Sequence, residues 1–288
     1  MIQSGIHKPK INITTDKNYK SVKKMVQESY LNTVCAEARC PNIYECWSRK
    51  TATLMILGDT CTRGCGFCSI KTGRPTWNDP LEPYRVAQAV QKMKLRHVVI
   101  TSVDRDDLKG DYGSTIWAKT INATRKLNPE CTIEVLTPDF KGDMNALKTV
   151  FESQPDIFSH NVECVERISK GVRAQANWQR SLDVLKESIA YGLRTKTGIM
   201  VGLGETEREV KDTMEQIVAL GVQIFTIGQY LQPTKKHLKV EQYVSKEKFD
   251  EYKVFGESIG FKIVESGPLV RSSYRADEQA RTIFSNNE

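Results

Sequence analysis

Three cysteines in the run Cys61-Thr-Arg-Gly-Cys65-Gly-Phe-Cys68 stand in a C-x3-C-x2-C spacing, just after the short apolar run Ala52 to Leu57. Thiolates are soft ligands, suited to zinc and to iron–sulfur clusters. Gly64 and Gly66 free the backbone to curl so that three sulfurs converge on one small object. Three thiolates are one short of a closed four-ligand site, and a missing protein ligand leaves a position open for a substrate. Zinc sites usually arrive as two C-x2-C knuckles. The different spacing here favours a redox-active cluster with one open iron over structural zinc or incidental thiols.

A second group, Cys35, Cys40 and Cys46, has the spacing C-x4-C-x5-C, with a turn expected at Pro41 and Asn42. By itself it reads equally as a structural metal site bracing an N-terminal cap. It too lacks a fourth ligand, for which the distant Arg271-Ser272-Ser273-Tyr274 segment is a candidate. The two other cysteines, Cys131 and Cys164, are flanked by apolar residues and read as buried thiols. A disulfide framework does not suit an intracellular chain of 288 residues.

The elements that must position these groups alternate strand and helix from about residue 53. Six strands are expected: Thr53–Leu57, His97–Val103, Thr132–Thr137, Ile157–Val162, Thr195–Val201 and Ile224–Leu231. Helices fall between them at Pro83–Met93, Ser114–Leu127, Asp143–Phe151, Trp178–Tyr191 and Glu205–Leu220, the last opened by a capping box at Thr206 and Glu209. Six such units cannot close an eight-stranded barrel. The fold expected is therefore α/β, a partial (β/α)6 barrel of the TIM type with an N-terminal cysteine-bearing cap and a C-terminal extension. A doubly wound open sheet is the competing topology. Either way the site lies at the carboxyl ends of the strands, where Asp104-Arg-Asp-Asp107 and Gly202-Leu-Gly-Glu-Thr206 sit. Residues 1–50 form the cap, with a helix over Ser21–Tyr30; 51–232 form the barrel; 233–288 add a helix at Lys246–Ser258 and a strand near Phe261–Val264.

The net charge of +7 is spread widely, with only small dense spots at Lys235-Lys236 and around Lys8 and Lys10. That permits an acidic partner but is weak support for nucleic-acid binding. A zinc-stabilised nucleic-acid-binding module is the reading outside enzymes. No apolar run reaches membrane-spanning length and no signal core is evident, so a cytoplasmic location is expected, with no membrane partner. The four histidines, His7, His97, His160 and His237, are scattered and suggest no acid–base centre, although His160 beside Asn161 could line the site.

At Cys61, Cys65, Phe67 and Cys68 the chain resembles the radical S-adenosylmethionine enzymes, whose hallmark is C-x3-C-x-aromatic-C after the first strand of a partial barrel. Joined to the Cys35/Cys40/Cys46 triad and the Arg-Ser-Ser-Tyr tail, it resembles the lipoyl synthase family along nearly its whole length. Thr101-Ser-Val-Asp-Arg-Asp-Asp-Leu108, His160-Asn-Val-Glu163, Thr195 to Thr206 and Ile227-Gly-Gln-Tyr-Leu-Gln-Pro233 add to the likeness. The resemblance implies a 4Fe–4S cluster on Cys61, Cys65 and Cys68 that binds S-adenosylmethionine and cleaves it to a 5′-deoxyadenosyl radical. It also implies an auxiliary 4Fe–4S cluster on Cys35, Cys40, Cys46 and a tail serine, Ser273 with Ser272 as fallback. That second cluster supplies the sulfur inserted at C6 and C8 of an octanoyl chain on a carrier-protein lysine, the work of a sulfurtransferase.

The partners so implied are octanoylated carriers, namely the glycine-cleavage H protein and the lipoyl domains of 2-oxoacid dehydrogenase E2 chains, with a ferredoxin or flavodoxin as electron donor and no nucleic acid. Contacts to S-adenosylmethionine are expected at Thr101 and Ser102 for the methionyl group, at Asn161 and Glu163 for the ribose, and at Arg173 for the carboxylate. Gly202 and Gly204 are expected near the adenine, whereas Met200, Phe225 and Tyr230 read as core. The enzyme alternatives are other sulfur-inserting radical enzymes, of the methylthiotransferase or biotin synthase type.

Overall fold

The structure is a computed structural model that describes residues 9–11, 13–49 and 51–285, so His7 and Lys8 lie outside the described residues. The cap contains α1 (Lys17–Glu28), β1 (Asn32–Thr33), α2 (Val34–Glu37) and α3 (Ile43–Ser48). Then follow β2 (Thr53–Ile56), β3 (Thr60–Cys61), β4 (Lys71–Thr72), α4 (Glu82–Met93), β5 (His97–Ser102), α5 (Ser114–Leu127), β6 (Thr132–Leu136) and α6 (Met144–Glu152). The second half carries β7 (Ile157–Ser159), α7 (Glu166–Val172), α8 (Trp178–Ala190), β8 (Thr195–Val201), α9 (Glu207–Ala219) and β9 (Ile224–Gln229). The tail adds α10 (Lys246–Ile259), β10 (Ile263–Gly267) and α11 (Ala276–Ser285).

Eight strands form one sheet in the order β1-β2-β5-β6-β7-β8-β9-β10. All neighbours pair in parallel except β1, which runs antiparallel to β2. The spatial order follows the chain order without reversal. A doubly wound sheet needs such a reversal, so this is a singly wound partial barrel. Its six expected strands are β2 and β5 to β9, and β10 extends the parallel run from the tail. Near-continuous apolar runs such as His97-Val-Val-Ile-Thr-Ser102 give strands buried on both faces. At the bottom of the barrel Lys196 Nζ meets Glu134 Oε1 at 2.8 Å, both fully buried, and His97 Nε2 faces Glu134 Oε2 at 3.6 Å. Charges so deep persist only when paired.

Helix ends follow local chemistry. Thr206 and Glu209 complete the reciprocal capping box of α9. Ser245 accepts from Lys248 N at the start of α10, and Gly260 ends it at φ 118°. In the cap, α1 begins four residues earlier than expected because the Asp16 side chain accepts from Tyr19 N. Its Val22 and Val26 are buried, and Tyr19 stacks on Tyr44 beside the buried Trp47.

Several expected strands end one to three residues early: at Ile56 rather than Leu57, Ser102 rather than Val103, Leu136 rather than Thr137, Ser159 rather than Val162, and Gln229 rather than Leu231. Past these ends Val103, Thr137 and Leu231 line the site cavity, and the backbone turns left-handed at Leu57 (φ 67°) and Glu163 (φ 70°). The helix α7 and the short α2, α3, β1, β3 and β4 were not expected, because pieces of two to seven residues carry too little periodicity to read. The tail holds a second helix, α11, where only the one at Lys246–Ser258 was expected.

Candidate active site

Cys61 ends β3, and the loop beyond it is held from every side. Thr62 N–H and Oγ1 both donate to the Asp104 carbonyl, at 3.0 and 2.9 Å. Gly64 N–H donates to Gln175 Oε1 (2.8 Å), and Gly66 N–H to the Val172 carbonyl (3.0 Å). Leu238 N–H reaches the Gly66 carbonyl at 3.0 Å. Neither Gly64 nor Gly66 adopts positive φ, so the expected curl is not what demands glycine. A Cβ on Gly66 would lie 2.9 Å from Leu238 Cγ: this glycine is needed for close packing.

Arg63, only 5 % exposed, anchors the same loop to the barrel. It donates to both oxygens of Asp106 at 2.8 Å and pairs with Asp104 (3.2 Å) and Asp139 (2.7 Å). Burial alone would raise the Asp139 pKa, but its hydrogen bonds to Arg63 hold it well below the usual carboxylate range. Asp104 goes the other way, raised by burial despite Arg63.

Cys35 lies on α2, whose first turn is capped by Thr33, and Cys46 lies on α3. Cys40 N–H donates to the Cys35 carbonyl at 3.1 Å, and the turn at Pro41 and Asn42 carries the chain into α3 as expected. The distant tail meets this group, with Asn42 Nδ2 donating to the Leu269 carbonyl 227 residues on, and its four motif side chains go to four places. The Arg271 guanidinium donates to the Val270 carbonyl, and its charge acts on both Cys40 and Glu163. Ser272 Oγ accepts from Asn161 Nδ2 at 2.8 Å. Ser273 Oγ accepts from Thr53 Oγ1 at 2.8 Å. Tyr274 OH donates to Glu45 at 3.1 Å, beside the pairing of Arg49 with Glu278.

A cavity of about 460 Å³ opens at the carboxyl ends of the strands. It is lined by Cys61, Cys65 and Cys68, by Cys35 and Cys40, and by both Ser272 and Ser273. A small adjoining cavity of about 30 Å³ gathers Cys35, Cys40, Cys46 and Ser273, but not Ser272. Thr101, Ser102, Asn161, Glu163 and Arg173 all line the large cavity. Thr101 and Ser102 donate their hydroxyl protons to backbone carbonyls, and Arg173 donates to the carbonyls of Asn161 and Val162. Asn161 Oδ1 is buried without a partner.

Gly202 and Gly204 are not at this cavity. Gly202 backs onto Gln229 and the Gln242 carbonyl, and Glu205 accepts from Gly202 N and Leu203 N. Met200 lines the cavity; Tyr230 also borders it but is buried in the core as expected, as is Phe225. Cys131 and Cys164 are buried, as expected.

The residues fit iron–sulfur clusters. Burial pushes the Cys35 and Cys61 thiols up to about 11, and Cys46 and Cys65 up to about 12. Without metal they stay protonated, and a coordinating metal supplies the charge that removes those protons. Among the described residues no three His, Cys, Asp or Glu side chains close on a single ion. Asn161 lines the cavity and its Oδ1 has no partner, so it is the kind of acceptor a bound cofactor would satisfy.

Of the histidines, His160 lines the large cavity beside Asn161, and both of its ring nitrogens are also tied into the fold. Its Nδ1 bonds the Thr137 carbonyl (2.9 Å) and its Nε2 the Ser181 hydroxyl (3.1 Å). Burial, then the charge of Arg173, lowers its pKa from 6.5 to about 4. The ring is neutral when folded and protonates more readily when unfolded, so its contribution is whole above pH 6.5 and is lost as pH falls towards about 4. That loss is on the order of 3 kcal/mol. In urea melts between pH 7 and 4, His160→Gln should be less stable at pH 7 and show a flatter acid limb. An unchanged acid limb would remove His160 as its source.

Sequence reasoning missed Arg63, Asp139, Thr53 and His237, whose Nε2 bonds the Cys68 carbonyl at 3.0 Å. Asp139 lies three residues past β6, a strand-end position where a polar residue is a usable signal. Thr53 and His237 carried none.

Residues 55–217 match the model of the radical SAM superfamily. Among curated relatives, a lipoyl synthase of Oceanobacillus iheyensis is 54% identical over 283 residues, covering 96% of this chain and 90% of that one. A mitochondrial lipoyl synthase of Nematostella vectensis is 51% identical, covering 94% of each. Among solved structures, Streptococcus suis SuiB bound to S-adenosylmethionine aligns with TM-score 0.59 at 10% identity, over 79% of this chain and 55% of that one. Methylornithine synthase aligns with TM-score 0.55 at 10% identity, over 90% and 79%. These two likenesses carry the fold, while the curated relatives carry the family and displace the zinc-module, methylthiotransferase and biotin synthase readings. The chain belongs to the lipoyl synthase family of the radical S-adenosylmethionine superfamily of enzymes.

Proposed function

We propose that this enzyme inserts two sulfur atoms, at C6 and C8, into an octanoyl chain held on a lysine of a lipoyl carrier protein. The observation that carries the reading is the shared cavity: thiols of both triads and the two tail serines line one space. When bound, the two clusters supply the electron that cleaves S-adenosylmethionine and the sulfur that is transferred. Cys61, Cys65 and Cys68 would hold the first of them. Cys35, Cys40, Cys46 and Ser273 would hold the second, since Ser273 reaches the small triad cavity and Ser272 does not. A serine oxygen is a harder, poorer ligand for iron than a thiolate, which suits a cluster dismantled during turnover.

Asn161, Glu163 and Arg173 would orient the cofactor, with Thr101 and Ser102 forming the wall beside it. Met55, Leu136, Met200 and Val270 give the cavity apolar surface for an acyl chain and against water. In this division of labour residues 1–50 and 233–288 together hold the sulfur source, and 51–232 make the radical. The carriers would be the glycine-cleavage H protein and E2 lipoyl domains, reduced equivalents coming from a ferredoxin or flavodoxin. The described residues include no helix long and apolar enough to cross a membrane, and the work is proposed to take place in the cytoplasm.

Anaerobic turnover on an octanoylated carrier tests this. Mass spectrometry should show a gain of two sulfurs with release of 5′-deoxyadenosine, from brown protein holding about eight irons per chain. Protein that holds about four irons and cleaves S-adenosylmethionine without sulfur gain would exclude the second cluster.

A further inference from the structure

The segment from Thr234 to Val240 reads Thr-Lys-Lys-His-Leu-Lys-Val and follows directly on Gln232 and Pro233, which line the large cavity. It is tied down along its length. His237 N–H donates to the Thr234 carbonyl (3.0 Å), and Gln232 Nε2 donates to the His237 carbonyl (2.9 Å). Tyr230 OH donates to the Leu238 carbonyl (2.7 Å), while Leu238 N–H donates to Gly66 of the cluster loop. The His237 ring spans Thr234 Oγ1 (2.9 Å) and the Cys68 carbonyl (3.0 Å). A carbonyl can only accept, so Nε2 donates to it.

On this fixed strap Lys235, Lys236 and Lys239 stand exposed. Some lysines elsewhere, among them Lys196, Lys211 and Lys248, are paired with carboxylates, and others stand alone on the surface. The three on the strap have no carboxylate within ion-pair distance among the described residues. Glu241, the next acid along the chain, lies over Gly204. Across the cavity lining, exposed Arg39 adds a further cation between Cys35 and Cys40. Like charges placed this close repel one another and weaken the fold slightly. Held on a rigid strap at an active-site mouth, they make a fixed positive rim.

We propose that this rim is the docking surface for the carrier, and that it takes an acidic face of the protein domain bearing the octanoyl-lysine. The proposal rests on the function above. An acyl-lysine arm is short, so the body of its carrier must press against the cavity mouth, where complementary charge steers encounter and sets orientation. A merely solvated lysine run would not be braced against the cluster loop at Gly66 and Cys68.

The test uses the holoenzyme with both clusters and compares wild type with a Lys235→Glu/Lys236→Glu/Lys239→Glu variant. Each is given intact octanoylated carrier domain and, separately, a short octanoyl-lysine peptide with uncharged flanks. The expected result is a rise in KM for the intact carrier of about tenfold or more, with kcat kept and the salt dependence reduced. Turnover of the short peptide should match wild type, and the corresponding triple alanine variant should show a smaller rise in KM. Equal loss on both substrates would make the strap structural, and no loss on either would place docking elsewhere; each overturns the proposal. Absence of lipoyl product from wild type on both substrates would instead overturn the function on which it rests.

Discussion

Ser273→Ala is expected to leave reductive cleavage of S-adenosylmethionine near wild type and to cut lipoyl formation at least about tenfold, the low end of what losing even an outer partner costs a metal site. The separation follows from geometry. Ser273 faces Thr53 and the small cavity of Cys35, Cys40 and Cys46. The Cys61 loop is held by different groups: Asp104, Gln175, Val172, Leu238 and the Arg63 ion pairs. Ser272→Ala, which removes the acceptor of Asn161, should disturb cofactor binding more than sulfur transfer. The measurement is the ratio of 5′-deoxyadenosine released to lipoyl product formed, for both variants. Parallel loss of both activities in Ser273→Ala would leave the serine a structural part of the tail. A normal ratio in Ser273→Ala with an abnormal one in Ser272→Ala would move the ligand to Ser272.

Gly228→Ala is expected to dislodge Ser273, the ligand proposed above, from a distance. A Cβ at this position on β9 would lie 2.1 Å from the Val270 carbonyl oxygen and 3.3 Å from Arg271 Nη1. The neighbour is backbone and cannot rotate away, so the tail must shift, and it is the tail that places Ser273. Overpacking of this kind costs about 1–3 kcal/mol. Iron content should fall from about eight towards four per chain while cleavage of S-adenosylmethionine continues, and thermal unfolding should drop by about 2–4 °C per kcal/mol. Full iron content and normal lipoyl formation in this variant would mean that the tail is not placed by its contact with β9.

Thiols are scarce and chemically distinct, and each triad is compact in sequence, so the two cysteine groups can be read before any fold is known. The alternation of apolar strands and amphipathic helices was legible for the same kind of local reason. The six expected strands recur as β2 and β5 to β9, and the expected capping box is present at Thr206 and Glu209. Where reading failed, the cause was a contact with no trace in local pattern. Gly66 looks like a turn residue and proves to be a packing residue against Leu238, while Gly202 looks like a ligand-side glycine and backs onto Gln229.

What the sequence determined by itself is the chemistry available: two sets of three thiolates, one polar tail and a barrel whose strand ends carry the site. What only the tertiary structure decided is which groups share a space. Thr53 and Ser273 are separated by 220 residues, yet their oxygens are 2.8 Å apart. His237 lies 169 residues beyond Cys68 and bonds its carbonyl. Residue type and spacing record how a short segment folds. A meeting across the barrel depends on how β9 and β10 stack on their neighbours, and that register is set by packing over the whole sheet.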